Sequence, residues 1–184
     1  MENIRVAEFE KVSLEQFKKD MLDTFGNKYF DEEIEEMYSN IKLPVRATTG
    51  SAGHDFFAPF HFTLEHNNTI KIPTGVRCKV KDGWFLGIYP RSGHGFKYGT
   101  VLTNTVGIID RDYYYSDNEG HIMIKLANDS CIGKVYEVPQ GQGFAQGIFM
   151  PYGLTTNDAV TEKRNGGFGS TTEKAIIEDA VIRG

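Results

Sequence analysis

The chain has 184 residues, 40% hydrophobic and 24% charged, the length and balance of one globular domain with an appendage, able to bury a core without disulfides or metal. Its net charge is −5, five negative charges fall in the run 31–36, and nothing in this balance points to a nucleic-acid surface. No apolar run is long enough to cross a membrane, the acidic N-terminus lacks a signal-peptide core, and Cys78 and Cys131 have no CxxC spacing, so they read as reduced, buried residues of a cytoplasmic protein.

The chain divides near Leu43-Pro44. Residues 1–42 have helical spacing. Ser13 followed by Gln16 resembles a capping box, Leu14, Phe17, Met21 and Phe25 share one face, and Gly26 suits the stop. A second helix starts at Asp31, whose carboxylate can cap, with Ile34, Met37, Tyr38 and Ile41 as its apolar positions. Two such short helices need something to pack on. Residues 43–150 read as short strands near 45–47, 55–63, 69–80, 84–90, 100–109, 121–127, 134–138 and 143–150. Asp82-Gly83 is expected to be a hairpin turn, and Pro139-Gln140-Gly141 another turn. Many short strands with such turns predict an all-β barrel or jelly roll. Residues 151–184 read as a C-terminal arm, rich in glycine around 163–172, with a short helix over 173–181.

Several segments carry groups suited to chemistry. Ala52-Gly53-His54-Asp55 puts a carboxylate at the start of a strand, where Asp55 can meet Mg²⁺ through water or simply cap its own turn; His54, without a ligand-spaced partner, reads as a packing residue. Arg91-Ser92-Gly93-His94-Gly95 offers a guanidinium, a hydroxyl and free backbone N–H groups to an anion, though a glycine-rich turn with solvated charges has the same composition. In Asn104-Thr105-Val106-Gly107-Ile108-Ile109-Asp110-Arg111-Asp112-Tyr113 an apolar run bends at a glycine, which lets a polar ring approach bare backbone beside an Asn, an Asp and a Tyr; the plain alternative is a hairpin with polar ends. Gln146 can donate to a phosphate or satisfy a neighbouring strand. In the arm, Phe168 can cover a base while Ser170 and Thr171 grip phosphates, the behaviour of a lid. A base and a polyphosphate together make a nucleotide.

These segments, in this order, resemble the five motifs of the homotrimeric deoxyuridine triphosphatase (dUTPase) family: Ala52-Gly53-His54-Asp55, Arg91-Ser92-Gly93, Gly107 to Tyr113, Gly143-Phe144-Ala145-Gln146 and Gly166 to Thr171. The resemblance implies a jelly-roll barrel, a homotrimer with shared active sites, and Mg²⁺-dependent hydrolysis of dUTP to dUMP and pyrophosphate. By motif position, Asp110 is the general base, and Asn104, Gly107 and Ile109 read the uracil edge. Tyr113 packs on the deoxyribose. Arg91, Ser92, Gly93 and Gln146 hold phosphates, joined from the arm by Arg164, Gly169, Ser170 and Thr171, with Phe168 stacked over uracil. Asp55 stands in the outer shell of Mg²⁺, and Asp112 is structural.

The chain departs from the family pattern at several places. Histidines stand at 54 and 94. Gly143 occupies a position that is often Arg, so one structural ion pair is expected to be missing. Lys163 stands at the usual arginine position of the arm, with Arg164 beside it and preferred for its bidentate geometry. Residues 114–118 are an insertion. Two rival readings follow: a dCTP deaminase of the same fold, with Glu119 as its carboxylate, and a regulatory module that meets a protein partner through the acidic helix 31–41 and the insertion.

Overall fold

The computed structural model describes residues 4–129 and 133–162. Twelve strands are formed among them: β1 (Ala7–Lys11), β2 (Val45–Arg46), β3 (His54–Phe57), β4 (Phe62–Leu64), β5 (Thr69–Pro73), β6 (Val76–Val80), β7 (Trp84–Pro90), β8 (Thr100–Leu102), β9 (Gly107–Ile109), β10 (Met123–Asn128), β11 (Tyr136–Val138) and β12 (Gly143–Pro151). Three α-helices join them: α1 (Leu14–Phe25), α2 (Asp31–Ser39) and α3 (Ser92–Tyr98). The result is the expected jelly-roll-like β-barrel with a helical N-terminal extension. Its principal sheet has the order β2-β3-β12-β7-β9. Strand β10 alternates buried and less buried residues, the period-2 mark of a half-buried strand. No helix among the described residues is long and apolar enough to cross a membrane.

Three long predicted strands are each two shorter ones. The run 69–80 breaks at Thr74-Gly75, where Gly75 has φ +71° and a side chain would strike Ile41. The run 55–63 breaks between β3 and β4, and 100–109 breaks at residues 103–106, where Thr105 takes φ +65°. Asp82-Gly83 does turn, with Gly83 at φ +76°, but it joins no hairpin. Strand β6 pairs with β1, while β7 pairs with β12 and β9.

The N-terminal extension holds a strand that the helical reading passed over. Ala7 and Phe9 alternate with Glu8 and Glu10, and β1 runs antiparallel to β6 with Phe9 opposite Cys78. Cys78 is a free, buried thiol; Cys131 lies outside the described residues. Val12, Phe17, Met21, Ile34 and Ile41 enter the same buried cluster as Leu86, Ile109 and Phe144, so extension and barrel share one core.

Helix α1 is capped at Ser13, whose hydroxyl accepts from the Gln16 N–H at 3.1 Å, and stops at Gly26 with φ +59°. The second half of the expected capping box is absent, because the Gln16 side chain donates to Asp20 at 2.7 Å. Helix α2 is capped by Glu33, which accepts from the Phe30 N–H at 2.8 Å, and not by Asp31, which pairs with Lys18 at 3.2 Å.

Beneath α1, the buried His121 accepts from the Gly75 N–H at Nε2 (2.7 Å). That bond places the ring proton on Nδ1, facing Asp20 at 2.5 Å. Burial pushes the Asp20 carboxyl up, but hydrogen bonds from His121 and Gln16 pull it further down, to a net value below the ordinary one. A carboxyl depressed by folding contributes stability that is fully present above its unfolded value, near about 3.9, and is lost as pH falls through the folded value. The stability gap between wild type and Asp20→Asn in urea is therefore expected to hold from about pH 7 to about pH 5 and to narrow below about pH 4. A gap that widens on acidification would refute this linkage.

Candidate active site

The expected phosphate-binding residues gather at one end of the principal sheet. Strand β12 lies between β3 and β7, so Gln146 is flanked by Asp55 on one side and Tyr89 on the other. Arg91 follows β7 directly. Its Nε lies 3.2 Å from Asp55, and its Nη1 donates to the Gly143 carbonyl at 3.0 Å. A Cβ on Gly143 would sit 2.8 Å from that Nη1, so the small residue leaves the space that Arg91 fills. The Arg91–Asp55 pair is an ion pair at this spot even though Gly143 supplies none. Two guanidinium hydrogens are thus spent on fixing Arg91, and the others remain for a ligand.

Gln146 donates to the Pro90 carbonyl at 3.0 Å, the strand-satisfying alternative, and its second amide hydrogen stays available. A Cβ on Gly53 would lie 2.5 Å from the Gln146 Oε1, so Gly53 gives the amide its room.

The expected glycine-rich loop after Arg91 is a helix, α3, in which the Arg91 carbonyl accepts from His94 and Gly95 N–H groups, each at 3.1 Å. Its start leaves the Ser92 and Gly93 N–H groups without an intrahelical acceptor, and both residues are exposed. His94 is a packing residue. Burial, helped by the Arg91 charge, holds its imidazole below the usual range, while burial pushes the Tyr136 hydroxyl up. The two meet at 2.6 Å, between the Tyr136 hydroxyl and the His94 Nδ1. His54 is likewise packed, 5.6 Å from the Phe9 ring and 5.3 Å from that of Phe149.

The expected base-reading residues lie on β9, the last strand of the principal sheet. Its outer edge carries backbone donors and acceptors that no strand among the described residues pairs. Asn104 precedes it in the exposed turn. A Cβ on Gly107 would be 3.1 Å from Ile88 and 3.8 Å from the Asn104 amide, so the glycine permits a close approach here. Gly107 and Ile109 are buried, whereas Ile108 is 46% exposed. Asp110 ends the strand and begins a 3₁₀ turn at Arg111–Tyr115. Tyr113, within that turn, is 2% exposed; its hydroxyl donates to the His121 carbonyl at 2.7 Å and accepts from Asn118 at 2.9 Å.

These two groups do not meet within one chain. In the β7–β9 register Ile109 faces Leu86, so Asp110 falls beside Phe85, six residues from Arg91 along β7. At about 3.3 Å per residue the separation is roughly 20 Å. Two surface grooves, of about 600 and 650 Å³, are lined by other residues, chiefly the N-terminal segment with Trp84 and Phe149 in one and with Lys79 and Arg111 in the other. Arg164, Phe168, Gly169, Ser170, Thr171 and the rival Lys163 lie outside the described residues.

A family model described as dUTPase matches residues 39–172. The chain belongs to the dUTPase family. The deoxyuridine 5'-triphosphate nucleotidohydrolase of Lactococcus lactis subsp. lactis is 40% identical to it over 144 residues, which are 76% of this chain and 95% of the relative. That of Pasteurella multocida is 39% identical over 135 residues, 69% of this chain and 85% of the relative. Among solved structures, the dUTPase from Streptococcus mutans superposes with a TM-score of 0.59 at 31% identity, covering 81% of this chain and 98% of its own. The dUTPase from phage phi11 of S. aureus gives a TM-score of 0.59 at 19% identity, covering 86% and 97%, a likeness of fold.

Against this dUTPase frame, Glu119 is not the carboxylate of a deaminase. One of its oxygens accepts from the Ser13 N–H at 2.7 Å and the other from the Ser13 hydroxyl at 2.6 Å, so both are spent on the end of α1. Burial raises the Glu119 carboxyl, and the two Ser13 bonds bring it below the ordinary range. Sequence spacing gives no signal for this contact between residues 106 positions apart.

Proposed function

We propose that the chain hydrolyses dUTP to dUMP and pyrophosphate at sites assembled between copies, in a homotrimer. The observation that carries the shared site is the separation of Asp110 from the Arg91–Gln146 group at opposite ends of β7. A triphosphate held by Arg91, Ser92 and Gly93 of one copy is out of reach of that copy's own Asp110, so a neighbour must present the carboxylate.

The uracil edge pairs with the outer edge of β9 and with Asn104. Cytosine reverses the donor and acceptor at these positions, and a site that leaves buried polar groups unpaired discriminates by about 10⁴-fold. Tyr113 is 2% exposed, so the deoxyribose meets the turn that holds it and not the open face of its ring, and the hydroxyl, spent on the His121 carbonyl, gives a 2′-hydroxyl no partner. Asp110 accepts a proton from water as the water oxygen bonds to the α-phosphorus, and the bond from that phosphorus to the bridging oxygen breaks to release pyrophosphate. Arg91, fixed by Asp55, and the second Gln146 hydrogen hold the phosphate oxygens in line. By the family resemblance, Phe168 serves the uracil ring, and Arg164, Gly169, Ser170 and Thr171 serve the phosphates.

Among the described residues no group of three or more His, Cys, Asp or Glu could hold a metal ion. An ion carried in on the substrate phosphates, the usual habit of Mg²⁺, needs no such group, and Asp55 would serve its outer shell through water. When bound there, Mg²⁺ neutralises charge on the leaving pyrophosphate.

The test is pyrophosphate release from dUTP, UTP, dCTP and dTTP at equal concentration. Turnover confined to dUTP supports the reading, and equal rates on dUTP and UTP would sink it.

A further inference from the structure

We infer that the N-terminal extension is a brace for the catalytic carboxylate, with Glu119 as its positioning residue; this rests on the reading of Asp110 as the base. Asp110 opens the connection of residues 110–122 between β9 and β10. A connection of that length, left to itself, samples many conformations, whereas a general base must be held within hydrogen-bond reach of its water.

Here the connection is a relay of turns. The Tyr113 N–H donates to the Asp110 carbonyl at 3.2 Å, Ser116 to Tyr113 at 3.0 Å, and Glu119 to Ser116 at 2.8 Å. The far end of this relay is gripped from outside. Ser13 satisfies both Glu119 oxygens and thereby holds that residue at φ +57°, a backbone state that a non-glycine residue keeps only with help. Next door, Gly120 packs onto the start of the relay, since a Cβ there would lie 2.6 Å from the Tyr114 Cα.

Two further grips flank the first. Glu10 accepts from the Tyr114 hydroxyl at 2.8 Å, and the Arg77 guanidinium, 2.8 Å from Glu10, lies 4.2 Å from the centre of the Tyr114 ring. Asp20 accepts the hydrogen bond from His121 Nδ1–H described above. Glu10, Ser13 and Asp20, all outside the residues that the family model matches, each hold a residue between 114 and 121, and Arg77 and the Gly75 N–H add two holds from within the matched residues. The missing half of the α1 capping box explains how Ser13 is available: Glu119 serves its N–H in place of Gln16.

The experiment compares Ser13→Ala, Ser13→Thr, Glu119→Ala and the Ser13→Ala/Glu119→Ala double variant, in the full chain. The readouts are kcat and KM for dUTP, sedimentation and melting temperature. A displacement of about 1 Å at the base costs up to about 100-fold. Glu119→Ala is therefore expected to lower kcat by roughly ten- to a hundredfold, with KM within about threefold and assembly unchanged. Ser13→Ala should lose less, Ser13→Thr should restore most of the rate, and the double variant should be no worse than Glu119→Ala. Variants that melt earlier but keep wild-type kcat at 25 °C overturn the brace and leave Glu119 a cap. If Glu119→Ala does not fold, Ser13→Ala against Ser13→Thr decides alone. Asp110→Asn, run alongside, tests the underlying reading separately. An active Asp110→Asn overturns that reading, whereas an inactive one beside unimpaired Ser13→Ala and Glu119→Ala overturns only the brace.

Discussion

Chains carrying Asp110→Asn and chains carrying Arg91→Ala, each inactive alone, are expected to regain dUTP hydrolysis when refolded together. The reason is the register of β7. It carries Arg91 past one end, while the Ile109–Leu86 pairing carries Asp110 to the other. Removing the base alone should lower kcat by about 10²–10⁴-fold. Removing Arg91 takes away a phosphate donor and leaves Asp55 without its ion-pair partner. In a one-to-one mixture a site drawing its base from one copy and its arginine from another receives both intact groups about a quarter of the time, by random assortment in a closed oligomer. Activity should therefore return to roughly a quarter of wild type. Mixed assemblies, verified by mass, that stay inactive would show that one chain builds the whole site.

The second large effect concerns stability. Phe17→Ala is expected to cost about 3–5 kcal/mol, a large share of the about 5–15 kcal/mol that holds a domain of this kind folded. Phe17 is 0% exposed, with its ring centre 5.8 Å from that of Tyr38 and 6.1 Å from that of His121. It therefore joins both helices of the extension to the connection behind Asp110. Because the core is continuous, urea should unfold wild type in one transition and shift its midpoint in the variant without splitting it. Two separate transitions, or a loss below about 1 kcal/mol, would mean that the extension is an independent appendage. The same continuity predicts that a chain starting at residue 43 exposes the edge of β6 that β1 pairs and the part of β5 that α1 covers. That chain would give no clean report on a partner role for the helices.

The barrel was legible because its evidence is local. Alternation marks β10, the residues Ser13 and Gly26 mark the ends of α1, and ordered short motifs mark the nucleotide site. What escaped depends on partners distant in sequence or on apolar residues on both sides of a break. Thr74-Gly75 interrupts a run that is apolar before and after it, so periodicity alone reads one strand. Helix α3 has two glycines in seven residues and so reads as a loop, yet Gly99 at φ +62° stops it as a helix is stopped. Strand β1 alternates correctly, but its two glutamates suggest a surface helix until β6 is present to pair with it. Glu119 reads as a candidate for proton transfer because nothing near it in sequence reveals Ser13 as its partner.

The grip of residues 10–20 on residues 114–121 also sets an order of events during synthesis. Helices α1 and α2 leave the ribosome about a hundred residues before His121 and Glu119 exist, and β1 must wait for β6. At about 5–20 residues per second that interval is roughly 5–20 s, during which the two amphipathic helices have each other and β5 to pack on but lack the connection behind Asp110. Contacts so far apart in the chain also make for slow closure of the fold. The apolar faces of β3, which waits for β12, and the connection that α1 grips are thus both completed late, when the C-terminal half of the barrel arrives.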